Sequence, residues 1–249
     1  TILSGDIGTI GVDSDNSYHV LEHRSANASN GTHLDGVIVQ RGNASGSGYQ
    51  QDYGGGIFVY SGTMTLRNTM IRDNKASWRG GAAAIEQGKL HLEGALVYNN
   101  SAVSSSGGIV VLSGDVFLTN TTVTENTSES RTAGIDVFPG GHLTVANSIL
   151  HNNRASGVAA DLESQQLTGN ASVFNSIVEG LDRYRSGSSF AIDPLFADPE
   201  NDDFSLSAFS GAIGRGDNAL LPSGYSLDLV GVDRVLPANV GTVDLGTYE

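Results

Sequence analysis

The stretch from Ile57 to Asn74 reads IFVYSGTMTLRNTMIRDN, and the stretch from Ala83 to Asn100, 26 residues later, reads AAIEQGKLHLEGALVYNN. Two further copies follow, and the last one begins one residue late. Three columns show the common register: Gly62, Gly88, Gly114 and Gly141; Leu66, Leu92, Leu118 and Val145; Asn74, Asn100, Asn126 and Asn153. A fixed period of this length indicates stacked structural units.

Each period contains short apolar runs that alternate with polar residues, such as Met64-Thr65-Leu66, and Gly, Asn and Ser separate these runs. Apolar residues do not recur at the spacing of three or four that an amphipathic helix requires. We therefore predict that each period is one coil of short strands, paired in parallel with the coils about 4.8 Å above and below. The predicted fold is an all-β parallel solenoid of about six to eight coils.

The stacked columns differ in polarity, which predicts the face on which each one lies. The columns that are apolar throughout, and are predicted to be buried, are Ile57, Ala83, Ile109 and Ile135; Val59, Ile85, Val111 and Val137; and Leu66, Leu92, Leu118 and Val145. The mixed columns, which are predicted to face outwards, are Phe58, Ala84, Val110 and Asp136; and Thr65, His91, Phe117 and Thr144.

Two asparagine columns are predicted to form ladders along the solenoid axis. A side-chain amide has both a donor and an acceptor, so stacked copies can bond to one another, and asparagine also tolerates the left-handed backbone of tight bends. The columns are Asn68, Asn120, Asn147 and Asn175, and Asn74, Asn100, Asn126 and Asn153.

The composition supports one extended β domain. The 249 residues are 39% apolar but only 7% aromatic, with 33 Gly and no Cys, so the predicted core is aliphatic. A net charge of −14, from 13 basic and 27 acidic residues, disfavours binding to nucleic acid or to anionic membrane surfaces. The chain contains no run of about 18 apolar residues, so we expect no membrane span.

The repeat divides the chain into two parts. Residues 1–180 are predicted to form the coils, with clear repeats at 54–160, and residues 181–249 are predicted to form an irregular segment that packs on or caps the solenoid. Such a lid would protect the unpaired strand edges of the last coil. The chain begins at Thr1 within a predicted strand, so we expect a fragment, a processed form, or an end that a partner covers.

Several segments resemble the secreted right-handed parallel β-helix repeat proteins, including chlamydial polymorphic outer-membrane proteins and bacterial surface proteins with varied C-terminal anchors. The segments are Leu3-Ser4-Gly5-Asp6-Ile7-Gly8, Asp193-Pro194-Leu195-Phe196 and Val243-Asp244-Leu245-Gly246-Thr247-Tyr248-Glu249, together with the repeated Gly and Asn pattern. The resemblance implies a right-handed single-stranded helix and an extracellular or cell-surface location. It leaves the function open, because pectate, alginate and chondroitin lyases share the fold. The sequence departs from the pattern at Gly211, where relatives usually carry Pro.

One outward face gathers residues that could perform acid–base chemistry on a polysaccharide. Register places Arg67 beside Glu93, and Lys89 beside Asp115 and His142, within about 5 Å in adjacent coils. The candidate catalytic residues are Arg67, Lys89, His91, Glu93, Asp115 and His142. The alternative interpretation is that opposite charges on neighbouring strands form solvated pairs. His91 and His142 belong to different columns of non-adjacent coils, so we do not expect them to share a metal ion.

A second outward face carries an apolar stripe, which predicts a surface for a ligand, for a partner or for an overlying segment of the chain. The residues of this surface are Phe58, Tyr60, Trp78, Leu112 and Phe138. The loops around Trp78 and residues 43–53 are candidate covers, but we expect the C-terminal segment to cover the stripe.

Two acidic loops contain hard oxygen ligands that could hold Ca²⁺. The candidate metal ligands are Asp13, Asp15, Asp198 and Asp202. Neither loop has the twelve-residue spacing of a helix-loop-helix site, and acidic turns without a bound ion are the alternative. No cofactor is required by the predicted fold.

The sequence favours a non-catalytic extracellular surface protein that serves as a structural or adhesive scaffold. Its partners would be further copies of itself, joined end to end or side by side, or a surface carbohydrate. Two alternatives remain open: a polysaccharide lyase or glycoside hydrolase that acts on an acidic polysaccharide, and a carbohydrate-binding β-helix without cleavage.

Overall fold

The computed structural model describes residues 1–25, 31–48, 50–130, 132–156, 166–180, 189–235 and 241–249. Within these ranges the chain winds into coils, and each complete coil contributes one short strand to each of four parallel sheets. We label these sheets A to D and define them by their strands below. Along a coil the strands belong in turn to sheets B, C, A and D. None of the helical segments in these ranges is long and apolar enough to cross a membrane.

Two of the four sides of the solenoid are sheets A and B. Sheet A contains β1 Ile2–Ser4, β4 Ile38–Gln40, β8 Met70–Arg72, β12 Leu96–Tyr98, β16 Thr122–Thr124, β20 Ile149–His151 and β24 Ile177–Val178. Sheet B contains β2 Leu21–Arg24, β6 Ile57–Ser61, β10 Ala83–Ile85, β14 Ile109–Val111, β18 Ile135–Val137 and β22 Leu167–Thr168.

Sheets C and D close the coil, and the C-terminal segment adds a small hairpin. Sheet C contains β3 Thr32–Asp35, β7 Thr63–Arg67, β11 Lys89–Glu93, β15 Asp115–Thr119, β19 His142–Ala146 and β23 Ala171–Phe174. Sheet D contains β5 Asn43–Ala44, β9 Lys75–Ala76, β13 Ser101–Ala102, β17 Thr127–Ser128 and β21 Arg154–Ala155. The antiparallel hairpin is β25 Phe196–Asp198 with β26 Asp203–Leu206, and short 3-10 turns occur at Asp13–Asp15, Pro199–Asn201 and Asn218–Leu220.

The predicted all-β parallel solenoid is confirmed. Five coils carry all four strands in the described ranges, and four of them, from β6 to β21, correspond to the clear repeats at 54–160. Partial coils flank them, with β1 on one side and β22, β23 and β24 on the other. Within the described ranges the complete coils are therefore fewer than the predicted six to eight, because these ranges include one strand of the first winding and three strands of the last.

The three apolar columns form one continuous core, as predicted. All their members are buried, with exposures between 0% and 5%, and they belong to a single cluster that runs the length of the solenoid. Each fully buried aliphatic side chain contributes about 2 kcal/mol through the hydrophobic effect. Register is kept across the fourth copy because its extra residue lies in the turn between β18 and β19, where Gly140 adopts a φ of 101° that favours glycine.

The asparagine ladder is confirmed for the column that starts at Asn74. Its four asparagines are fully buried. The Nδ2 of each one donates to the Oδ1 of the next at 2.9 Å, from Asn74 through Asn100 and Asn126 to Asn153. Each Oδ1 also accepts the backbone N–H of the preceding asparagine at 3.1 Å. At the end of the ladder Asn153 donates to Oε1 of Gln166 at 2.7 Å, so a glutamine completes the column.

The second asparagine column works differently. Its members adopt left-handed backbone, with φ between 42° and 49°, as the turn chemistry predicts; they are Asn68, Asn120, Asn147 and Asn175. Only one bond along the axis joins its side chains in the described residues, from Asn147 Nδ2 to Asn120 Oδ1 at 3.4 Å. In the Asn74 column the left-handed residue is instead the one before each asparagine. The residues that adopt the left-handed bends are therefore different from the asparagines that form the hydrogen-bonded ladder.

The C-terminal segment, residues 189–235 and 241–249, lies along the side of the solenoid and is called the strap here. Phe190 adds a parallel bridge to Ile177 of the last coil. From there the strap runs back over the outside of sheet A, where Phe204 packs edge-on against Tyr98 with ring centroids 5.2 Å apart. Thr247 then donates from Oγ1 to the carbonyl of Ala95 at 2.7 Å.

Gly94 explains how the strap docks. It stands in the second column between Asn68 and Asn120 of the neighbouring coils, and a Cβ at this position would lie 1.7 Å from the hydroxyl of Tyr225. The fully buried Arg234 holds that tyrosine, because its Nε donates to the Tyr225 hydroxyl at 2.9 Å and its Nη2 to the carbonyl of Thr247 at 2.5 Å. The absence of a side chain at Gly94 thus makes room for the strap against the coils.

We predict that Asn100→Ala lowers the free energy of unfolding by about 3 kcal/mol, because the amides of Asn74 and Asn126 then lose buried partners. The exposed neighbour Asn99, with a φ of 53°, provides the control. Asn99→Gly should change the stability by no more than about 0.5 kcal/mol. Urea unfolding measures both variants, and equal stabilities would contradict the ladder as a stabilising element.

Glu179 terminates the buried polar column and predicts a pH dependence. It accepts hydrogen bonds from Nη1 and Nη2 of Arg154, both at 3.0 Å, from the backbone N–H of Asn152 at 2.7 Å and from Gln166 Nε2 at 3.0 Å. Burial alone would raise the pKa of Glu179, but the bonds from Arg154 and Asn152 outweigh it and hold the pKa below the ordinary 4.5. A lowered folded-state pKa stabilises the fold above pH 4.5, and this contribution is lost as the pH falls through the folded value.

We therefore expect Glu179→Gln to be less stable than the native chain by about 2 kcal/mol at pH 7, because hydrogen bonds to a charged group are lost. At pH 3 the difference should shrink. Thermal unfolding at both pH values measures it, with Glu129→Gln on the exposed sheet D side as the control. A difference that stayed constant, or grew on acidification, would show that the carboxylate does not act in this way.

Candidate functional site

The predicted catalytic residues all lie on the outer surface of sheet C. Alternate residues of its strands point inwards to the core, so the others stack in three outward columns. We call this surface the polar face. It consists of His33, Asp35, Thr63, Thr65, Arg67, Lys89, His91, Glu93, Asp115, Phe117, Thr119, His142 and Thr144.

One column of the polar face brings a cation, an anion and an imidazole together. The Nζ of Lys89 lies 3.0 Å from Oδ2 of Asp115, and Nδ1 of His142 lies 3.5 Å from Oδ1 of the same carboxylate. The side chains of Lys89 and His142 are more than half exposed. This is the arrangement that the register predicted for these three residues.

Another column pairs Arg67 with Glu93. The Arg67 Nε and Nη2 both donate to Glu93 Oε2, at 2.9 Å and 2.6 Å, and both side chains are less than one-fifth exposed. The strap shields this pair, because the Arg67 guanidinium lies 5.3 Å from the centroid of the Tyr225 ring. Arg67 therefore connects the polar face to the strap.

Between these columns His91 stacks on Phe117. Their ring centroids are 4.5 Å apart and their planes differ by 11°. Burial lowers the pKa of His91, and the Glu93 carboxylate opposes this effect only in part. The imidazole is therefore neutral at pH 7 and can accept a proton.

The chemistry open to the polar face follows from these pairings. The Lys89 ammonium is already paired with the Asp115 carboxylate at 3.0 Å. Arg67 is held by Glu93. Among the predicted catalytic residues, neutral His91 is thus the group best suited to act as a base, and its ring stack with Phe117 offers a flat surface to a sugar ring.

The apolar stripe on sheet B is largely buried, in keeping with the expectation that another segment of the chain covers it. The fully buried row is Phe58, Ala84 and Val110. The half-buried row is Tyr60, Leu112 and Phe138. Trp78 is 43% exposed.

The loops that precede the strands of sheet B cover this stripe, rather than the C-terminal segment as we expected. Tyr53, Arg79 and Ser105 pair with one another through parallel bridges and form a layer outside the sheet. The Arg79 guanidinium lies 4.4 Å from the centroid of the Phe138 ring. An apolar outward column therefore indicates a covering loop here, and a cleft of about 220 Å³ beside Phe58 remains.

The candidate metal ligands do not come together. Asp13 pairs with Lys75 at 2.5 Å, and Asp15 accepts the backbone N–H of Thr9 at 2.9 Å. Asp198 accepts Nδ2 of Asn201 at 2.8 Å, while Asp202 accepts Nδ2 of Asn99 at 3.4 Å. Within the described residues no three Asp, Glu, His or Cys side chains converge as a metal site would require. Bound Ca²⁺ stays a prediction.

The sequence did not predict a cleft of about 230 Å³ between sheet A and the strap. We call it the strap cleft. Its lining includes Thr124, Glu125, His151, Asp193, Leu195 and Phe196. Thr124 and His151 are register partners on β16 and β20, and the Phe196 ring meets the His151 ring edge-on at 6.3 Å.

The strap cleft contains polar atoms without partners. Thr124 is 1% exposed, and in the described part of the chain its Oγ1 has no hydrogen-bond partner; the same holds for Nδ1 of His151. Burial raises the pKa of Glu125 and lowers that of His151. Column spacing alone could have placed Thr124 beside His151, but the position of the strap has no repeat signal.

We predict that Thr124→Val raises the free energy of unfolding by about 1 kcal/mol, because a buried hydroxyl without a partner is replaced by a methyl group of similar size. Thr121 is the contrast, since its Oγ1 donates to the carbonyl of Leu92 at 3.0 Å. Thr121→Val should therefore destabilise the chain. Urea unfolding compares the two, and a large loss of stability in Thr124→Val would mean that its hydroxyl has a partner after all.

Comparison with known proteins agrees with this geometry. The family described as right handed beta helix region matches residues 13–193, which is most of the chain. Neither the curated proteins nor the solved structures contain a match. The repeats, the parallel sheets and the family match lead to the same conclusion: this chain belongs to the right-handed β-helix family.

Proposed function

We propose that the chain is a non-catalytic extracellular surface protein, a rigid scaffold with a structural or adhesive role. The observation that carries this proposal is the pairing of charges across coils on the polar face, where Arg67 binds Glu93 and Lys89 binds Asp115. Opposite charges on neighbouring strands stabilise a sheet surface modestly and do not by themselves indicate catalysis. The extracellular location rests on the resemblance to secreted repeat proteins.

Self-association is part of this proposal. The outermost strands of parallel sheets present backbone groups that can pair with another chain, and solenoids of one kind can extend one another in this way. Sedimentation over a range of concentrations, combined with electron microscopy, tests it. We expect oligomers or rods that grow with concentration, and uniform monomers at high concentration would remove self-association from the proposal.

Recognition of an acidic polysaccharide, with or without cleavage, is a second candidate. A specific observation favours it: Arg67, Lys89 and the stacked His91–Phe117 pair lie on one face of a protein whose net charge is −14. Cationic groups attract sugar carboxylates, and aromatic faces pack on sugar rings. A lyase would use His91 as the base, and a cation such as Ca²⁺ would acidify the substrate.

A panel of acidic polysaccharides separates these functions. We expect no rise in the absorbance of unsaturated sugar ends when the chain is incubated with the panel and Ca²⁺. Thr144→Ala is a control on the same face. A rise in this absorbance that disappears in His91→Ala but persists in Thr144→Ala would show that the chain is a lyase and not a non-catalytic scaffold. Binding on a glycan array without such a rise would identify a carbohydrate-binding surface.

A further inference from the structure

The strap cleft lies on a different side of the solenoid from the polar face and has a different chemistry. Its floor is the outer surface of sheet A at Thr124 and His151, and strap residues Leu195 and Phe196 form its wall. Its volume of about 230 Å³ is below the range of about 300–1,000 Å³ for drug-sized ligands. A group the size of one side chain or one sugar unit would fill it.

Two polar atoms of the floor lack a hydrogen-bond partner in the described part of the chain. Within the described residues, neither Thr124 Oγ1 nor His151 Nδ1 has a hydrogen-bond partner, although both atoms are buried. Elsewhere in the same outward column the side chains bond to each other: Arg72 donates from Nη1 to the Tyr98 hydroxyl at 3.2 Å. Buried polar groups are normally satisfied, so this pair indicates that a further molecule completes the site.

The charged groups that line the cleft determine which class of ligand it can bind. Glu125 and Asp193 contribute two carboxyl groups to the lining, and the lining residues in the described ranges include no Lys or Arg. The nearby cation Arg154 is bound to Glu179 by two bonds of 3.0 Å. An anionic ligand would therefore meet only repulsion.

The hydrogen-bonding groups of the cleft also favour a cationic ligand. Asp193 and Glu125 offer carboxyl oxygens, and Oδ1 of Asp193 already accepts the backbone N–H of Leu195 at 2.8 Å, which fixes its position. The Thr124 hydroxyl and a neutral His151 nitrogen can both accept a hydrogen bond. A primary ammonium group has three donors and no acceptor, so it matches this set, and the Phe196 ring can pack against the attached carbon atoms.

We propose that the strap cleft binds a ligand that presents a primary ammonium group on a small carbon skeleton, with Thr124, His151, Glu125 and Asp193 as its partners. An amino sugar and a lysine side chain share this chemistry. The site is independent of the proposed scaffold role, because it involves no residue of the polar face.

Calorimetric titration of the full chain tests the proposal with two pairs of probes. D-glucosamine is compared with N-acetyl-D-glucosamine, and Nα-acetyl-lysine amide with its Nε-acetylated form. We expect at least one free amine to bind at least tenfold more tightly than its acetylated partner. The preferred amine identifies the source of the ammonium group.

Variants distinguish the cleft from general attraction to an acidic protein. Thr124→Val and Glu125→Gln should each weaken the amine at least tenfold, whereas Asp115→Asn, which removes the same charge on the polar face, should not. Thr124→Val is expected to remain folded, so loss of binding cannot be ascribed to unfolding. The ¹⁵N resonance of His151 Nδ1 should shift on addition of the amine. Equal affinity for free and acetylated probes, the lack of any binding, or unchanged binding by Thr124→Val would overturn the proposal.

Discussion

Parallel pairing of each coil with the next, in a fixed register, is the constraint on which the rest of this structure depends. Because residue 57 always meets residue 83 and then residue 109, like side chains stack in columns. Apolar columns fill the interior, and the buried amides from Asn74 to Asn153 make any slip costly, since a shift by one residue would leave every amide without its partner. Charge pairs such as Arg67 with Glu93 follow from the same register.

The strap uses irregularities in the repeat. Gly94 interrupts an asparagine column and thereby admits Tyr225, which the buried Arg234 holds in place. Asn147 accepts the backbone N–H of Asp217 at 2.9 Å, so an amide of the same column also binds the strap directly. The strap in turn covers polar residues of sheet A and creates the cleft at Thr124. Departures from the repeat thus determine where a second surface feature forms on an otherwise uniform rod.

The sequence predicted the features that depend on the spacing of the repeat, but few of the features that depend on loops or on the strap. The core columns, the Asn74 ladder and the pairing of Lys89 with Asp115 all follow from a spacing of 26 residues. Burial of Phe58 does not follow, because it depends on loops whose path the spacing does not encode. Gln166 completes the ladder although it breaks the period, and the strap cleft joins residues of coils and strap that are about 40 to 75 positions apart. Contacts of this kind require tertiary structure.

The inter-coil register is tested most directly by cysteine cross-linking, because the chain contains no cysteine of its own. Thr65 and His91 are register partners on adjacent strands of the polar face, so their Cα atoms lie about 4.8 Å apart, within the range that a disulfide spans. Cysteines at these two positions should oxidise to an intramolecular disulfide, seen by mass spectrometry. Cysteines at Thr65 and Phe117, two coils and about 9.6 Å apart, should not. Cross-linking of the second pair in preference to the first would contradict the coil register and the account built on it.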